Sequence, residues 1–173
     1  WELAVEHWLT VGTIHPELVP AGRDLLGEQI EALHKVGIRC PIYLTVGWDA
    51  LLVSQHPEWR AMFKNGLFGD WETGHPGQWN FVNWLHPDFQ HLEDLTREIM
   101  VRYGSKVDGF FYDICFFPKG ACWSEESLKF RNQHNLLDDS LAGHERFLAK
   151  AHETFSKRIH DVIRSQSETA TIF

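Results

Sequence analysis

The 173-residue sequence lacks the features that mark several large protein classes. It has three cysteines, too few for a disulfide framework, and no uninterrupted apolar run near the roughly 20 residues that cross a bilayer. Lys and Arg number 16 against 24 Asp and Glu, which gives a net charge of −8. Because this charge repels phosphate backbones and anionic lipid surfaces, neither nucleic acid nor a membrane is expected as a partner.

Short signatures of several enzyme chemistries are absent as well. No Gly-x-Gly-x-x-Gly or Gly-x-x-x-x-Gly-Lys-Ser/Thr follows a predicted strand, which argues against dinucleotide and nucleotide cofactors. There is no Gly-x-Ser-x-Gly, and no cysteine lies beside a helix start that would lower its pKa. The sequence has 11 histidines, but His144, His152 and His160 follow an eight-residue spacing that turns each roughly 80° from the last on a helix. The sequence therefore predicts no cofactor and no metal site.

The two ends of the chain indicate a piece of a longer protein. The chain begins with Trp1 rather than Met, and residues 170–173 read as the opening of a β-strand. We therefore expect truncation at both ends. A signal peptide would lie outside this chain, so the cellular compartment stays open. A homo-oligomer formed through regions outside these residues stays open too.

Helical and strand patterns alternate along the chain. Apolar residues at helical spacing predict three helices, over 24–36, 87–104 and Leu141–Arg164. Apolar, β-branched segments predict two strands buried on both faces, at 38–46 and 107–114, and a third strand begins at about Thr169. Residues 47–80 are rich in Gly, Pro, Trp and His, which predicts a long loop with one short helix at 57–63.

Strands joined by long helical crossovers form parallel sheets. Without a phosphate-binding glycine motif, a closed barrel is favoured over an open doubly wound sheet. A complete (β/α)8 barrel needs about 250 residues. The predicted fold class is therefore α/β, a partial (β/α)8 TIM barrel with about strands 2 to 5 present, and residues 1–173 are all assigned to this catalytic domain.

Two acids stand where predicted strands end, which is where parallel barrels place their active sites. Asp113 closes the segment 107–113, and Asp49 follows the strand that ends near Val46. An acid after Phe-Phe-Tyr has apolar surroundings, so its ionised form needs support or its pKa rises. Asp113 is the candidate nucleophile or proton donor, with a helix N-cap or an ion pair as the structural alternative. Asp108, at the start of the same strand, is given a structural role.

Tryptophan is concentrated between the first two predicted strands, at Trp48, Trp59, Trp71, Trp79 and Trp84. Indole faces stack on sugar rings, while Asp and His side chains bind hydroxyls. We expect one or two of these tryptophans at a carbohydrate and the others to anchor the loop. The candidate substrate contacts are Asp49, Trp48, Trp84, His86 and His15. For the two histidines, a loop or helix-start role is the alternative.

Four segments together resemble one known family. They are 24–33 (DLLGEQIEAL), 37–49 (GIRCPIYLTVGWD), 56–59 (HPEW) and 107–114 (VDGFFYDI). They resemble the hypothetical glycosyl hydrolase 6 family, a set of sugar-cleaving barrels similar in places to α-L-fucosidases and to β-galactosidases with a trimerisation domain. The likeness runs from about Gly12 to Phe173.

This resemblance implies an activity and a catalytic residue. Residues 102–113 are similar to the fucosidase segment that ends on the nucleophile, so Asp113 would take that role in a retaining glycosidase of the fucosidase or galactosidase type. The bond cleaved would be an O-glycosidic bond in an oligosaccharide or glycoconjugate, and the second acid is not identified. Two alternatives stay open: a carbohydrate-binding barrel that has lost catalysis, and a metal-dependent hydrolase that uses some of the histidines.

Overall fold

The computed structural model describes residues 23–68, 80–117 and 120–173. These residues cluster into two compact units. The first unit comprises residues 23–45, 91–113 and 158–173. The second unit comprises residues 46–68, 80–90, 114–117 and 120–157.

The described elements alternate between helix and strand, as predicted. In chain order they are α1 (Leu25–Lys35), β1 (Pro41–Thr45), α2 (Ala50–Gln55), a 3-10 turn (Pro57–Trp59), α3 (His91–Tyr103), a second 3-10 turn (Gly104–Lys106), β2 (Gly109–Asp113), α4 (Glu125–Gln133), α5 (Leu141–Arg164) and β3 (Thr171–Ile172). The three predicted helices and three predicted strands are all present, and two further helices accompany them.

The predicted helices form where apolar spacing and capping residues agree. Asp24 caps α1, since its Oδ1 accepts the Gly27 N–H over 3.0 Å. Gly37 follows the helix with a positive φ of 73°, a conformation that favours glycine. The predicted bounds of α5 are confirmed at both ends. The helix predicted from Pro87 instead begins at His91, because residues 84–88 form turns.

The two additional helices are short and capped. Asp49 caps α2 and Ser124 caps α4, each through a side-chain oxygen that accepts a backbone N–H three residues on. The short helix predicted at 57–63 is a single 3-10 turn over Pro57–Trp59. These elements all belong to the second unit.

The three strands form a parallel sheet in the order β1-β2-β3, which confirms the predicted parallel pairing. Pro41 opens β1, the position where a missing N–H costs least. Gly109 opens β2 opposite Thr171. A Cβ at Gly109 would lie 2.3 Å from Thr171 Oγ1 and 2.5 Å from its carbonyl oxygen, so β3 can approach this closely only at a glycine.

The two faces of the sheet differ in burial. One face carries four buried side chains, Ile42, Leu44, Phe110 and Tyr112. Helix α3 contacts this face, because the Thr96 hydroxyl bonds the Tyr112 hydroxyl over 2.6 Å. The other face carries Tyr43, which is half-buried, and Phe111, which is 41% exposed. The expectation that both faces are buried is therefore wrong at Phe111, since α3 covers the opposite face.

Candidate functional site

Asp113 lies at the carboxyl edge of the sheet. It is the last residue of β2 and stands opposite Thr45 in the register with β1. Its side chain is half-buried, and the Tyr43 hydroxyl donates a hydrogen bond to its Oδ2 over 2.7 Å. A phenol that donates to a carboxylate makes a charge-assisted bond, so Tyr43 fixes the orientation of the Asp113 carboxylate.

The surroundings of this carboxylate are aromatic on the same face of the sheet. The Tyr43 ring lies 5.5 Å from the Phe111 ring, centroid to centroid. The structural alternative of a helix N-cap does not apply to Asp113, because the next described helix is α4, which Ser124 caps. A carboxylate that a phenol orients at a strand end is suited to act as a nucleophile or a base.

Asp108, the acid at the opposite edge of the sheet, has a different set of hydrogen-bond partners. Oδ2 of Asp108 accepts the Cys40 backbone N–H and a hydrogen bond from His34 Nε2, each over 2.7 Å. Burial raises the Asp108 pKa, but these two hydrogen bonds and the charges of His34 and Arg39 outweigh burial and hold the pKa below its usual value. These bonds join β2 to α1 and to the start of β1, which confirms the structural role predicted for Asp108.

Trp48 and Asp49 follow β1 in the chain and belong to the second unit. Trp48 forms an antiparallel bridge with Phe81, and the Asp49 N–H donates to the Asn80 carbonyl over 3.3 Å. Oδ1 of Asp49 accepts the Leu52 N–H over 2.7 Å and so begins α2. Its Oδ2 is buried and has no hydrogen-bond partner among the described residues. Contact between Asp49 and a substrate therefore stays a prediction, in which Oδ2 would be the atom that binds the substrate.

Trp84 has a packing role that its sequence position did not indicate. It is completely buried, its ring stacks on Phe117 at 4.6 Å, and its edge meets Phe155 at 5.5 Å. The expectation that Trp84 offers an indole face to a sugar is corrected, because both neighbours occupy the indole. Trp59 stacks on His56 at 3.8 Å, which anchors the 3-10 turn.

His86 is 7% exposed, and its Nδ1 accepts the Asp88 backbone N–H over 3.2 Å. This bond assigns the ring proton of neutral His86 to Nε2, which makes that nitrogen a donor. The contact between His86 and a substrate stays a prediction. His15, the remaining candidate contact, lies outside the described residues, as do Trp71 and Trp79.

The structure thus divides the candidate residues between the units. Asp113 belongs to the first unit, and Trp48, Asp49, Trp84 and His86 belong to the second. Sequence reasoning missed Tyr43. The signal was strand alternation, since Tyr43 lies two residues before Thr45 and therefore on the face that carries the strand-end acid.

Among the residues that the structure describes, no three His, Cys, Asp or Glu side chains are grouped so that they could hold a metal ion. Within the same residues, every helix is too short or too polar to cross a membrane.

The comparisons with known proteins agree with an α/β fold. The sequence profile of the hypothetical glycosyl hydrolase 6 family matches residues 7–114, which is more than half of the chain. The chain belongs to this family. The match ends just after Asp113, so residues beyond 114 are not covered by it.

Among solved structures, the chain is similar to α-L-fucosidase isoenzyme 2 from Paenibacillus thiaminolyticus. The TM-score is 0.64 and the sequence identity is 27%, over 87% of this chain. The chain spans 22% of the length of that fucosidase. No curated protein sequence matches the chain.

Proposed function

We propose that this chain forms part of the catalytic (β/α)8 barrel of a retaining glycoside hydrolase in which Asp113 is the nucleophile. The observation that carries the proposal is the position of Asp113, the last residue of the middle strand of a parallel sheet, with the Tyr43 hydroxyl on its Oδ2. Active sites of parallel barrels gather at this edge. Family membership and the likeness to a fucosidase supply the reaction class.

The unequal faces of the sheet support the barrel architecture. Helix α3 contacts one face through Tyr112, while the other face carries Tyr43 and the 41% exposed ring of Phe111. In a closed barrel the helices cover the outer face, and the inner face is filled by side chains from further strands. Under the proposal, Tyr43 and Phe111 are interior residues, and the strands that complete the barrel cover them.

The proposed reaction has two steps. An oxygen of the Asp113 carboxylate attacks the anomeric carbon while the glycosidic C–O bond breaks, and a second carboxylic acid gives its proton to the leaving oxygen. That second residue, now a carboxylate, then takes a proton from water as the water oxygen displaces Asp113 from the sugar. The anomeric configuration is retained. This mechanism places the second acid about 5–5.5 Å from Asp113, and no residue of the chain is assigned to it.

Other residues would bind and orient the substrate. Tyr43 is a positioning residue, since it acts through the Asp113 carboxylate. The proposed substrate contacts are Trp48, Asp49, His86 and His15. The substrate is an O-glycoside within an oligosaccharide or glycoconjugate, and fucosides and galactosides are the first sugars to test.

The test is turnover of a panel of aryl α- and β-glycosides by the full-length protein. We expect one glycoside to be cleaved, and Asp113→Asn to lower kcat/KM by roughly 10³-fold or more, because an amide is a poor nucleophile. Azide added to Asp113→Ala should restore turnover of an activated glycoside and release a glycosyl azide of inverted configuration. Asp108→Asn, which changes the acid at the other end of the same strand, is the matched control and should retain turnover once folded.

Three outcomes would contradict this proposal. Normal turnover by Asp113→Asn would remove Asp113 as nucleophile. Sugar binding by the wild type without cleavage of any glycoside would favour a carbohydrate-binding barrel that has lost catalysis. Activity that is lost on chelation and restored by a metal ion would favour a metal-dependent hydrolase.

A further inference from the structure

Arg131 is a completely buried cation in the second unit. Its guanidinium lies against two rings, with Cζ 4.0 Å from the Trp123 centroid and 3.7 Å from the Phe147 centroid. Nε donates to the Cys122 carbonyl and Nη1 donates to the Leu136 carbonyl, each over 3.0 Å. The rings and the two carbonyls together fix the plane and the rotation of the guanidinium.

The remaining nitrogen of Arg131 has no hydrogen-bond partner among the residues that the structure describes. Nη2 is buried without a hydrogen bond, and none of the ion pairs among the described residues includes Arg131. Burial lowers the pKa of Arg131 to about 10, so the side chain keeps its charge at neutral pH. Buried charges in proteins are ordinarily paired and hydrogen-bonded. Arg131 therefore has an unused donor where an anion is favoured.

His144 supplies a second unused polar atom beside the same ring. Its ring lies 6.2 Å from that of Phe147, centroid to centroid, and its Nδ1 is buried without a hydrogen-bond partner. Burial lowers the pKa of His144, and the nearby charge of Arg131 lowers it further, against the opposing charge of Glu145. Both unpartnered atoms thus belong to side chains that contact Phe147.

We propose that Arg131 Nη2 and His144 Nδ1 together bind one carboxylate group. The guanidinium edge presents N–H groups in a plane that matches a carboxylate, and the imidazole adds a second donor when Nδ1 carries a proton. The centroids of the Trp123 and Phe147 rings lie 4.0 Å and 3.7 Å from Cζ, and this crowding favours a flat carboxylate over a tetrahedral phosphate.

The carboxylate is supplied either by a free ligand or by an acidic side chain from elsewhere in the protein. Nuclear magnetic resonance on the isotope-labelled protein distinguishes these two sources. For a free ligand, acetate in the millimolar range should shift the Arg131 guanidinium and His144 ring signals saturably. His144→Phe, which keeps the ring volume, should weaken acetate binding at least tenfold. Arg146→Met is the matched control. Arg146 is an exposed cation on the same helix as His144 and pairs with Asp138, so this variant should bind acetate as the wild type does.

If an acidic side chain of the protein itself supplies the carboxylate, acetate should shift neither the Arg131 guanidinium signals nor the His144 ring signals. The Arg131 Nη2 signal should then show slow hydrogen exchange and a coupling across the hydrogen bond to a carboxylate carbon. Either of these results supports the site. Fast-exchanging Nη2 protons with neither an acetate shift nor a carboxylate coupling would overturn it. Phosphate that shifts the same signals as strongly as acetate would overturn the preference for a planar anion.

Discussion

The two ends of strand β2 each carry an aspartate, and the two aspartates are held by different kinds of neighbours. Asp108, at the amino end, accepts a backbone N–H from Cys40 and a hydrogen bond from His34. Asp113, at the carboxyl end, accepts a phenol from Tyr43 across the sheet. The partners of Asp108 belong to α1 and to the residue before β1, whereas Tyr43, one partner of Asp113, lies on the sheet face that also carries Phe111.

This difference supports the proposal that Asp108 maintains the fold and that Asp113 acts in the reaction. The bonds of Asp108 satisfy a backbone donor and tie a helix to the sheet, so the fold depends on that carboxylate. The bond of Asp113 leaves a carboxylate oriented at the edge where parallel barrels bind their substrates. Asp108 and Asp113 are the same residue type at the two ends of one strand. Their roles therefore differ because each lies at a different edge of the sheet and accepts hydrogen bonds from different groups.

The largest effect on stability is expected from substitution of Asp108, at the amino end of β2. Asp108→Ala leaves the Cys40 N–H and His34 without their acceptor, so the free energy of unfolding should fall by about 1–3 kcal/mol. Chemical denaturation followed by circular dichroism measures this change. Asp108→Asn keeps one acceptor oxygen and should lose less.

The activity of the Asp108 variants also tests whether the two ends of β2 have different roles. Once folded, they should retain the kcat of the wild type, because no step of the proposed reaction uses Asp108. A folded Asp108→Ala protein that is as stable as the wild type, or one that has lost turnover, would show that the two ends are not divided in this way.

A smaller effect is expected from two tyrosines on opposite faces of the sheet. Tyr43→Phe removes one hydrogen bond to Asp113, and we expect kcat to fall roughly tenfold with little change in KM, equivalent to about 1.4 kcal/mol in the barrier. Tyr112→Phe is the matched control. It removes a buried hydrogen bond to Thr96 and should cost about 1 kcal/mol of stability without lowering kcat. Steady-state kinetics and thermal unfolding on both variants separate these effects.

The reverse pattern would break the distinction between the faces. If Tyr112→Phe lowered kcat as much as Tyr43→Phe, the loss would reflect a general loosening of the sheet. If Tyr43→Phe changed stability alone, Tyr43 would be a structural partner and would no longer support the role of Asp113.

The smallest effect is a pH dependence that belongs to Asp108. Its pKa is held below the usual value in the folded protein, so its stabilising contribution is present above the unfolded pKa of about 3.9 and is lost as pH falls through the folded pKa. The urea midpoints of wild type and Asp108→Asn should therefore differ by a constant amount above about pH 5 and converge as the pH falls below about 4. A gap that stays constant below about pH 4 would show that the ionised carboxylate is not what stabilises this edge.

The elements with strong local signals could be predicted from the sequence. Helix α5 carries apolar residues at helical spacing over 24 residues, and its bounds were predicted at both ends. The centres of β1 and β2 were predicted from their apolar segments, although both strands are shorter than expected. The role of Asp108 followed from its place at a strand start.

The residues that the sequence did not reveal depend on distant contacts or short segments. Helix α2 has only six residues, too few for a periodic pattern, and α4 has few apolar residues, so its Ser124 cap was the available signal. The burial of Trp84 depends on Phe117, which lies far along the chain. The bond from Tyr43 to Asp113 joins residues 70 positions apart, so it could be found only once the strand register was known.

The most direct test of the central claim is to identify the residue that becomes attached to the sugar. A 2-deoxy-2-fluoro glycoside of the sugar that the full-length protein cleaves slows the second step of a retaining mechanism, so the covalent intermediate accumulates. Peptide mass spectrometry should then locate the fluorosugar on Asp113 in the wild type and find no adduct in Asp113→Asn. An adduct on another carboxylate, or rapid inactivation with no adduct on the peptide that contains Asp113, would contradict the account.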